Sequence, residues 1–199
     1  MKKGFSDIIT SRFIIRNPRV SDAENMFYNW ASDDEVTKYL TWYSHATVSV
    51  TEMIIQMWIS NEVNTFNWII ESNATKEAIG TISLYNVDFG KKYCELGFCL
   101  SKKYWNQGIM TEAVGLMIYY AFKKGIRSIV GYHMRENVGS GIVMKKNLMI
   151  HYKSENIKNV KDQSDICLDY YRLTYQRYKK YKLKENNNES STNENKRQK

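Results

Sequence analysis

Apolar residues recur along this chain with two distinct periods. Cys94–Leu100 reads as a strand, Ser101–Gln107 as a tight polar turn, and a helix opens near Gly108. Ile109, Ala113, Leu116, Met117, Tyr120 and Ala121 keep the three-to-four spacing of one buried helix face. Upstream, partial alternation over Arg12–Arg16 predicts a first strand. Ser21-Asp22-Ala23-Glu24 has the form of a capping box and predicts a helix running to about Trp30. A short helical segment is expected over Asp34–Tyr39. Ser49-Val50-Thr51-Glu52 repeats the cap pattern ahead of a helix whose apolar face would be Met53, Ile54, Met57 and Trp58.

Phe66–Glu71 and Ala78–Asn86 predict two strands joined as a hairpin through the polar run Ser72–Lys76. Asp88-Phe89-Gly90-Lys91 then hinges into the Cys94 strand. Further on, Arg127–His133 predicts a strand, Val138–Lys146 a short helix, and Ile150–Lys153 and Ile166–Leu173 two more strands. Residues 184–199 have no apolar anchor and are expected to form a disordered tail. Strands interleaved with helices over residues 8–183 make a single α/β (α+β) domain.

Composition narrows the class. At 199 residues and 43% hydrophobic, the chain can build one core. A mean hydropathy of −0.55, the lack of an 18-residue apolar run and an N-terminus (Met1–Asp7) without a signal-like apolar stretch predict a cytoplasmic protein with no membrane partner. Cys94, Cys99 and Cys167 are odd in number and lack CxxC spacing, so they fit reduced thiols. With only His45, His133 and His151 beside them, no metal site assembles from spacing. A net charge of +8 favours polyanionic partners. The lysine pairs at 102–103, 123–124, 145–146 and 179–180 are short and form no nucleic-acid motif, which leaves a basic nucleic-acid-binding domain as the weakest reading.

The chemistry points to the Gly108 junction. A strand ending in a glycine-containing loop at a helix N-terminus aims unpaired amides and the positive end of the helix dipole at one spot, where an anion can sit. The run Glu95-Leu96-Gly97-Phe98-Cys99-Leu100 followed by Lys103-Tyr104-Trp105-Asn106-Gln107-Gly108-Ile109-Met110-Thr111-Glu112-Ala113 resembles the acyl-CoA loop of GNAT-superfamily N-acetyltransferases. More narrowly, it resembles their ribosomal-protein-alanine acetyltransferase-like branch. The resemblance extends from Ser11 to Thr174 and includes Asn137-Val138-Gly139-Ser140 and Val143-Met144-Lys145-Lys146. It departs from the superfamily's Q/R-x-x-G-x-G/A loop at Trp105 and Met110.

That resemblance implies a mixed, strongly twisted sheet of about seven strands, splayed after the central strand, with acetyl-CoA as co-substrate in the opening and no metal. The amides of Asn106, Gln107, Gly108, Ile109, Met110 and Thr111 would grip the pyrophosphate. Backbone groups of Phe98, Cys99 and Leu100 would pair with pantetheine, and one N–H would polarise the thioester carbonyl. Ser140 would protonate the departing thiolate, Asn137 would fix the backbone beside it, and both would touch the cofactor. Glu95, the one carboxylate on the central strand, would take the amine proton, with Tyr132, His133 and Tyr171 as alternatives. A packed thiol is the better reading of Cys99 than a nucleophile. Lys146-Asn147-Leu148-Met149 replaces a family glycine, and Asn147 would supply the left-handed cap. Acceptor selectivity is expected in Asp33–Asn61 and Ile150–Asp165. The implied activity is acetylation of an amine, first a protein N-terminal α-amine of ribosomal type. The alternatives are a polyamine or antibiotic acceptor, or a silent CoA-binding module. Nucleic acid would be met only through the ribosome, and the protein would be a monomer or homodimer.

Overall fold

The computed structural model describes residues 6–60 and 63–184. Met1–Phe5, Asn61 and the tail beyond Lys184 therefore lie outside the described residues, although expectations were attached to each. Eight strands form one sheet: β1 (Ile8–Ile9), β2 (Phe13–Arg16), β3 (Phe66–Ser72), β4 (Ala78–Asp88), β5 (Tyr93–Leu100), β6 (Ser128–Met134), β7 (Ile150–Lys158) and β8 (Asp165–Thr174). Their spatial order is β1-β2-β3-β4-β5-β6-β8-β7. All neighbours are antiparallel except β5 and β6, which makes the sheet mixed. The extra strand over the expected seven is β1, too short to leave a period in the sequence.

Both faces of the central strands are covered, so β3 and most of β4 are buried without alternation. One face packs against α4 (Ile109–Lys123) and α5 (Val138–Lys146). Trp68, Ile70, Leu84, Leu96, Ala113 and Met117 belong to that core. The other face carries α1 (Ala23–Met26, continued by a wider π turn over Phe27–Ala31), α2 (Asp34–Thr37) and α3 (Val48–Ser60). There Met26, Trp30, Ile55, Ile69 and Cys99 pack together. A last helix, α6, spans residues 175–184.

Helix α4 follows the expected stripe. Ile109, Met110, Ala113, Val114, Met117, Ile118, Ala121 and Phe122 are buried, with Leu116 and Tyr120 on its flank. Each large side chain so buried contributes about 1.5–3 kcal/mol.

Two expected caps are corrected. Ser21 does not cap α1. The segment enters through a 3-10 turn, Val20–Asp22, and the Asp22 carboxylate reaches back to accept from the Arg19 amide at 2.7 Å. Asp22 is held there because Arg16, 4% exposed, needs it: Arg16 donates to Asp22 and to Glu71 from within the core. Helix α3 starts before Ser49, and the Thr47 hydroxyl accepts from the Val50 amide at 3.3 Å. Its inward stripe is also different from the one expected: Thr51 and Ile55 are buried, whereas Met53 and Met57 are more than half exposed.

Candidate active site

The site begins where two neighbouring strands part. β5 and β6 pair only from Tyr93–Glu95 to Ser128–Val130. Beyond that, Leu96–Leu100 keeps β4 on one side and Gly131–Met134 keeps β8 on its own, so the facing edges are open. The alternation that turns the Ser101 amide to Ile79 of β4 turns Cys99 to β4 as well, so of the three expected residues Phe98 and Leu100 present their backbone groups to this edge. The Leu100 carbonyl already accepts from the Trp105 indole N–H at 2.8 Å, which anchors the following loop to the strand end. The Cys99 thiol is pushed up to about 12 by burial, so it is a packed thiol and no nucleophile.

The loop then turns through two left-handed residues, Asn106 (φ 60°) and Gly108 (φ 74°). Asn tolerates this conformation and glycine adopts it freely. A Cβ built on Gly108 would meet nothing within 4 Å beyond its chain neighbours, so the space beside the start of α4 is open. An open helix N-terminus with amides free of intrahelical partners can receive an anionic phosphate group. Two braces hold the loop. Gln107 donates to the Lys103 carbonyl at 2.8 Å, and Arg12, from beside β2, donates to the Gln107 carbonyl at 2.7 Å while pairing with Glu112 of α4. Arg12 was legible only as a strand residue, since its partners lie about a hundred positions away.

Asn137 is the N-cap of α5, and its side chain accepts from the Ser140 amide at 3.2 Å. The Ser140 hydroxyl, half-buried, makes no side-chain hydrogen bond among the described residues. Across the sheet, Glu95 stands at the vertex of the divergence. Its side chain shares a face with Cys99, and hence with α1–α3, while Leu96 and Leu100 face α4. Glu95 accepts from the Tyr93 hydroxyl at 3.0 Å, and burial together with that bond raises the Tyr93 phenol above its usual range. With Tyr93, Asn64, Phe89 and Lys91 it lines a cleft of about 680 Å³. Tyr85, paired across the ladder with Glu95, lies so close over Gly97 that a Cβ there would come within 2.5 Å of its ring.

Of the alternative proton acceptors, Tyr132 is on the Glu95 face, its ring 5.3 Å from that of Tyr170. His133 and Tyr171 are not. They point to the α5 side, stacked at 5.4 Å, and Tyr171 is 4% exposed, so it is core. Residue parity along β8 makes Tyr170 the tyrosine that joins the cleft side, a parity the extended run did not reveal. The two segments expected to govern acceptor choice meet: the Tyr43 hydroxyl donates to the Lys161 carbonyl at 2.6 Å and the Lys161 ammonium to the Thr37 carbonyl at 3.1 Å. At the far end of α5, Asn147 is not left-handed (φ −95°), and Leu148 takes φ 65° instead. Asn147 is occupied otherwise, its amide donating to the Thr111 and Val143 carbonyls at 3.0 Å each.

A sheet opened between its parallel pair, above a glycine-led helix start, is matched by the family model for the acetyltransferase (GNAT) domain over residues 12–149. The chain belongs to the GNAT acetyltransferase family. It is 32% identical to the uncharacterized N-acetyltransferase p20 of Bacillus licheniformis over 119 residues, 58% of this chain and 65% of that one, just under two thirds of p20. It is 28% identical to the uncharacterized N-acetyltransferase YoaA of Bacillus subtilis (strain 168) over 145 residues, 71% of this chain and 81% of that one. Among solved structures, a GNAT-family acetyltransferase from Bacillus anthracis superimposes with a TM-score of 0.74 at 23% identity, covering 85% of this chain and 98% of its own. This GNAT domain has, among its described residues, no helix long and apolar enough to cross a membrane and no group of metal-ligating side chains.

Proposed function

We propose that the protein moves an acetyl group from acetyl-CoA to the N-terminal α-amine of a protein, of the ribosomal-protein type. The observation that carries this reading is the divergence of β5 and β6 immediately beyond Glu95. It leaves strand edges for an extended pantetheine arm, between a phosphate cradle at Gly108 and a carboxylate at the vertex. Acetyl-CoA supplies the activated acyl group. Asn106–Thr111 holds its pyrophosphate, and the open edge at Phe98–Leu100 orients the arm. This fixed orientation lowers the entropic part of the barrier. Glu95 receives the proton of the attacking amine, directly or through one water, with the Tyr93 hydroxyl holding the carboxylate in place. Ser140, on a backbone fixed by Asn137, protonates the departing thiolate.

The α-amine is preferred as acceptor because it asks less of a general base. An α-amine with a pKa near ~8 is partly neutral at pH 7, whereas a lysine amine near ~10.4 must first lose its proton. Free-thiol release from acetyl-CoA, measured with Ala- and Ser-starting peptides, a lysine peptide, spermidine and an aminoglycoside, tests this. Release with the α-amine peptides alone is expected. Release with a small amine alone would replace the acceptor class, and silence with CoA still bound would make the domain a binding module.

A further inference from the structure

Two lysine-rich stretches that are far apart in sequence meet on one surface. The C-terminal end of α4 (Lys123, Lys124) and the turn to Arg127 lie against α6, which brings Arg177, Lys179 and Lys180. The contact is specific. The Tyr175 and Tyr178 rings pack 5.3 and 5.1 Å from that of Phe122, the Arg127 guanidinium lies 4.4 Å over the Tyr175 ring, and the Tyr175 amide donates to the Arg127 carbonyl at 2.9 Å. All six cations are exposed, and among the described residues none of them is in an ion pair. Neither residues 113–135 nor residues 170–184 contain an aspartate or glutamate.

This charge does not serve the phosphate cradle. The patch and Gly108 sit at opposite ends of α4, which at 15 residues and a rise of about 1.5 Å each separates them by roughly 22 Å. Two exposed rings accompany the cations: Tyr181 at 44% exposure, and Tyr119 at 49% with the Lys123 ammonium 5.5 Å over one face. Cations spaced along a surface neutralise phosphates, and exposed aromatic faces stack on unpaired bases. A membrane fits less well: the apolar side of α6 is already taken up by Phe122, leaving Tyr181 and Leu183 as the outward apolar groups.

We infer that this surface docks single-stranded RNA, as a site separate from acetyl transfer. The inference rests on the patch alone and survives a change of acceptor. The test is fluorescence anisotropy with a labelled 20-nucleotide mixed-sequence RNA over a range of salt. For the full chain, affinity should fall steeply with salt. Lys123→Gln/Lys124→Gln/Lys179→Gln/Lys180→Gln should lose at least tenfold in affinity near 0.1 M salt. Its slope of log affinity against log salt should be shallower by about 3, at about 0.7 for each phosphate no longer neutralised. Tyr181→Ala should weaken binding about tenfold or less and leave the slope unchanged. Thiol release with a short peptide should be the same in both variants. No binding, or binding indifferent to the quadruple change, overturns the inference. So does equal affinity for single-stranded DNA or for duplex, or binding to phosphatidylserine vesicles without binding to RNA.

Discussion

Gly108→Ala separates the cost of a backbone conformation from the cost of a blocked cradle. Gly108 sits at φ 74° and ψ 0°, the left-handed region, and a Cβ there meets no atom within 4 Å. The variant therefore introduces no steric clash. It bears only the left-handed penalty of about 1–2 kcal/mol, which lowers the melting temperature by roughly 2–8 °C in a domain of this size. Binding should suffer more. On the proposed reading the new methyl group crowds the bound phosphate, and losing one charge-assisted hydrogen bond costs about 1.5–3 kcal/mol, or roughly ten- to hundredfold in affinity for CoA. Gly125, at φ 99° past the other end of α4 and also clear of neighbours within 4 Å, provides the control. Gly125→Ala should destabilise to a similar degree and leave CoA binding intact. Thermal unfolding and calorimetric CoA titration of both variants decide the matter. If the two variants bind CoA equally well, the amide cradle at Gly108 is wrong, however stable either protein is.

Other changes should act through different parts of the molecule. Glu95→Gln should lower kcat about a hundredfold or more with CoA affinity unchanged, and Ser140→Ala should lower kcat by a factor that shrinks as pH rises; steady-state kinetics with an α-amine peptide check both. Arg16→Ala leaves Asp22 and Glu71 without their partner inside the core and should cost about 3–5 kcal/mol in urea unfolding. Leu148→Gly relieves about 1–2 kcal/mol of left-handed strain but forfeits about 1 kcal/mol of partly buried leucine, so it should stay within about 1 kcal/mol of the parent. Leu148→Val, β-branched at φ 65°, should be clearly worse in the same assay. The hydrogen bonds from Arg135 and Ser154 bring the Asp169 carboxyl down to about 2 from 3.8. A depressed carboxyl contributes stability that is complete above its unfolded pKa and is lost as pH falls from 3.8 towards 2. Melting temperatures of Asp169→Asn and the parent should converge across that window.

One short helix was legible to the residue: α5 occupies the expected Val138–Lys146, with Asn137 capping it. Where the reading failed, a distant partner or a polar core residue decided the outcome. Ser21 lost the cap because Asp22 is committed to Arg16, whose other partner, Glu71, lies 55 positions away. The inward stripe of α3 was misplaced because it runs through Thr51, a buried polar residue bonded to His45 at 2.8 Å, while two exposed methionines imitate a core face. Leu148 was unexpected because the side chain of Asn147, the better left-handed residue, is needed to tie α5 to the first turn of α4. Of the proposed site, Gly108, Asn137, Ser140 and Glu95 are named from local sequence and resemblance. The divergence itself could not be read from β5, which stays apolar through Leu100 with nothing to mark where its neighbour departs.

That divergence, on the proposed reading, leaves most of the site's contacts to backbone groups. As proposed, the cradle would be made of amides, the arm-binding edge of backbone groups, and the thiolate side of one hydroxyl at a helix start, so few side chains would be constrained by chemistry. The constraint falls on geometry: a glycine that permits φ 74°, a tryptophan that fixes the strand end, an arginine that braces the loop from β2, and an asparagine that joins α5 to α4. Such a scaffold can keep the thioester end constant while the opposite face of the sheet changes its acceptor. Here that face carries Glu95 among Tyr85, Tyr93 and Tyr132. With the acyl side built from backbone and the acceptor side from side chains, as proposed, substitutions at Tyr43, Tyr132 or Tyr170 should move acceptor KM and leave CoA affinity alone. Changes at Trp105 or Arg12 should do the reverse.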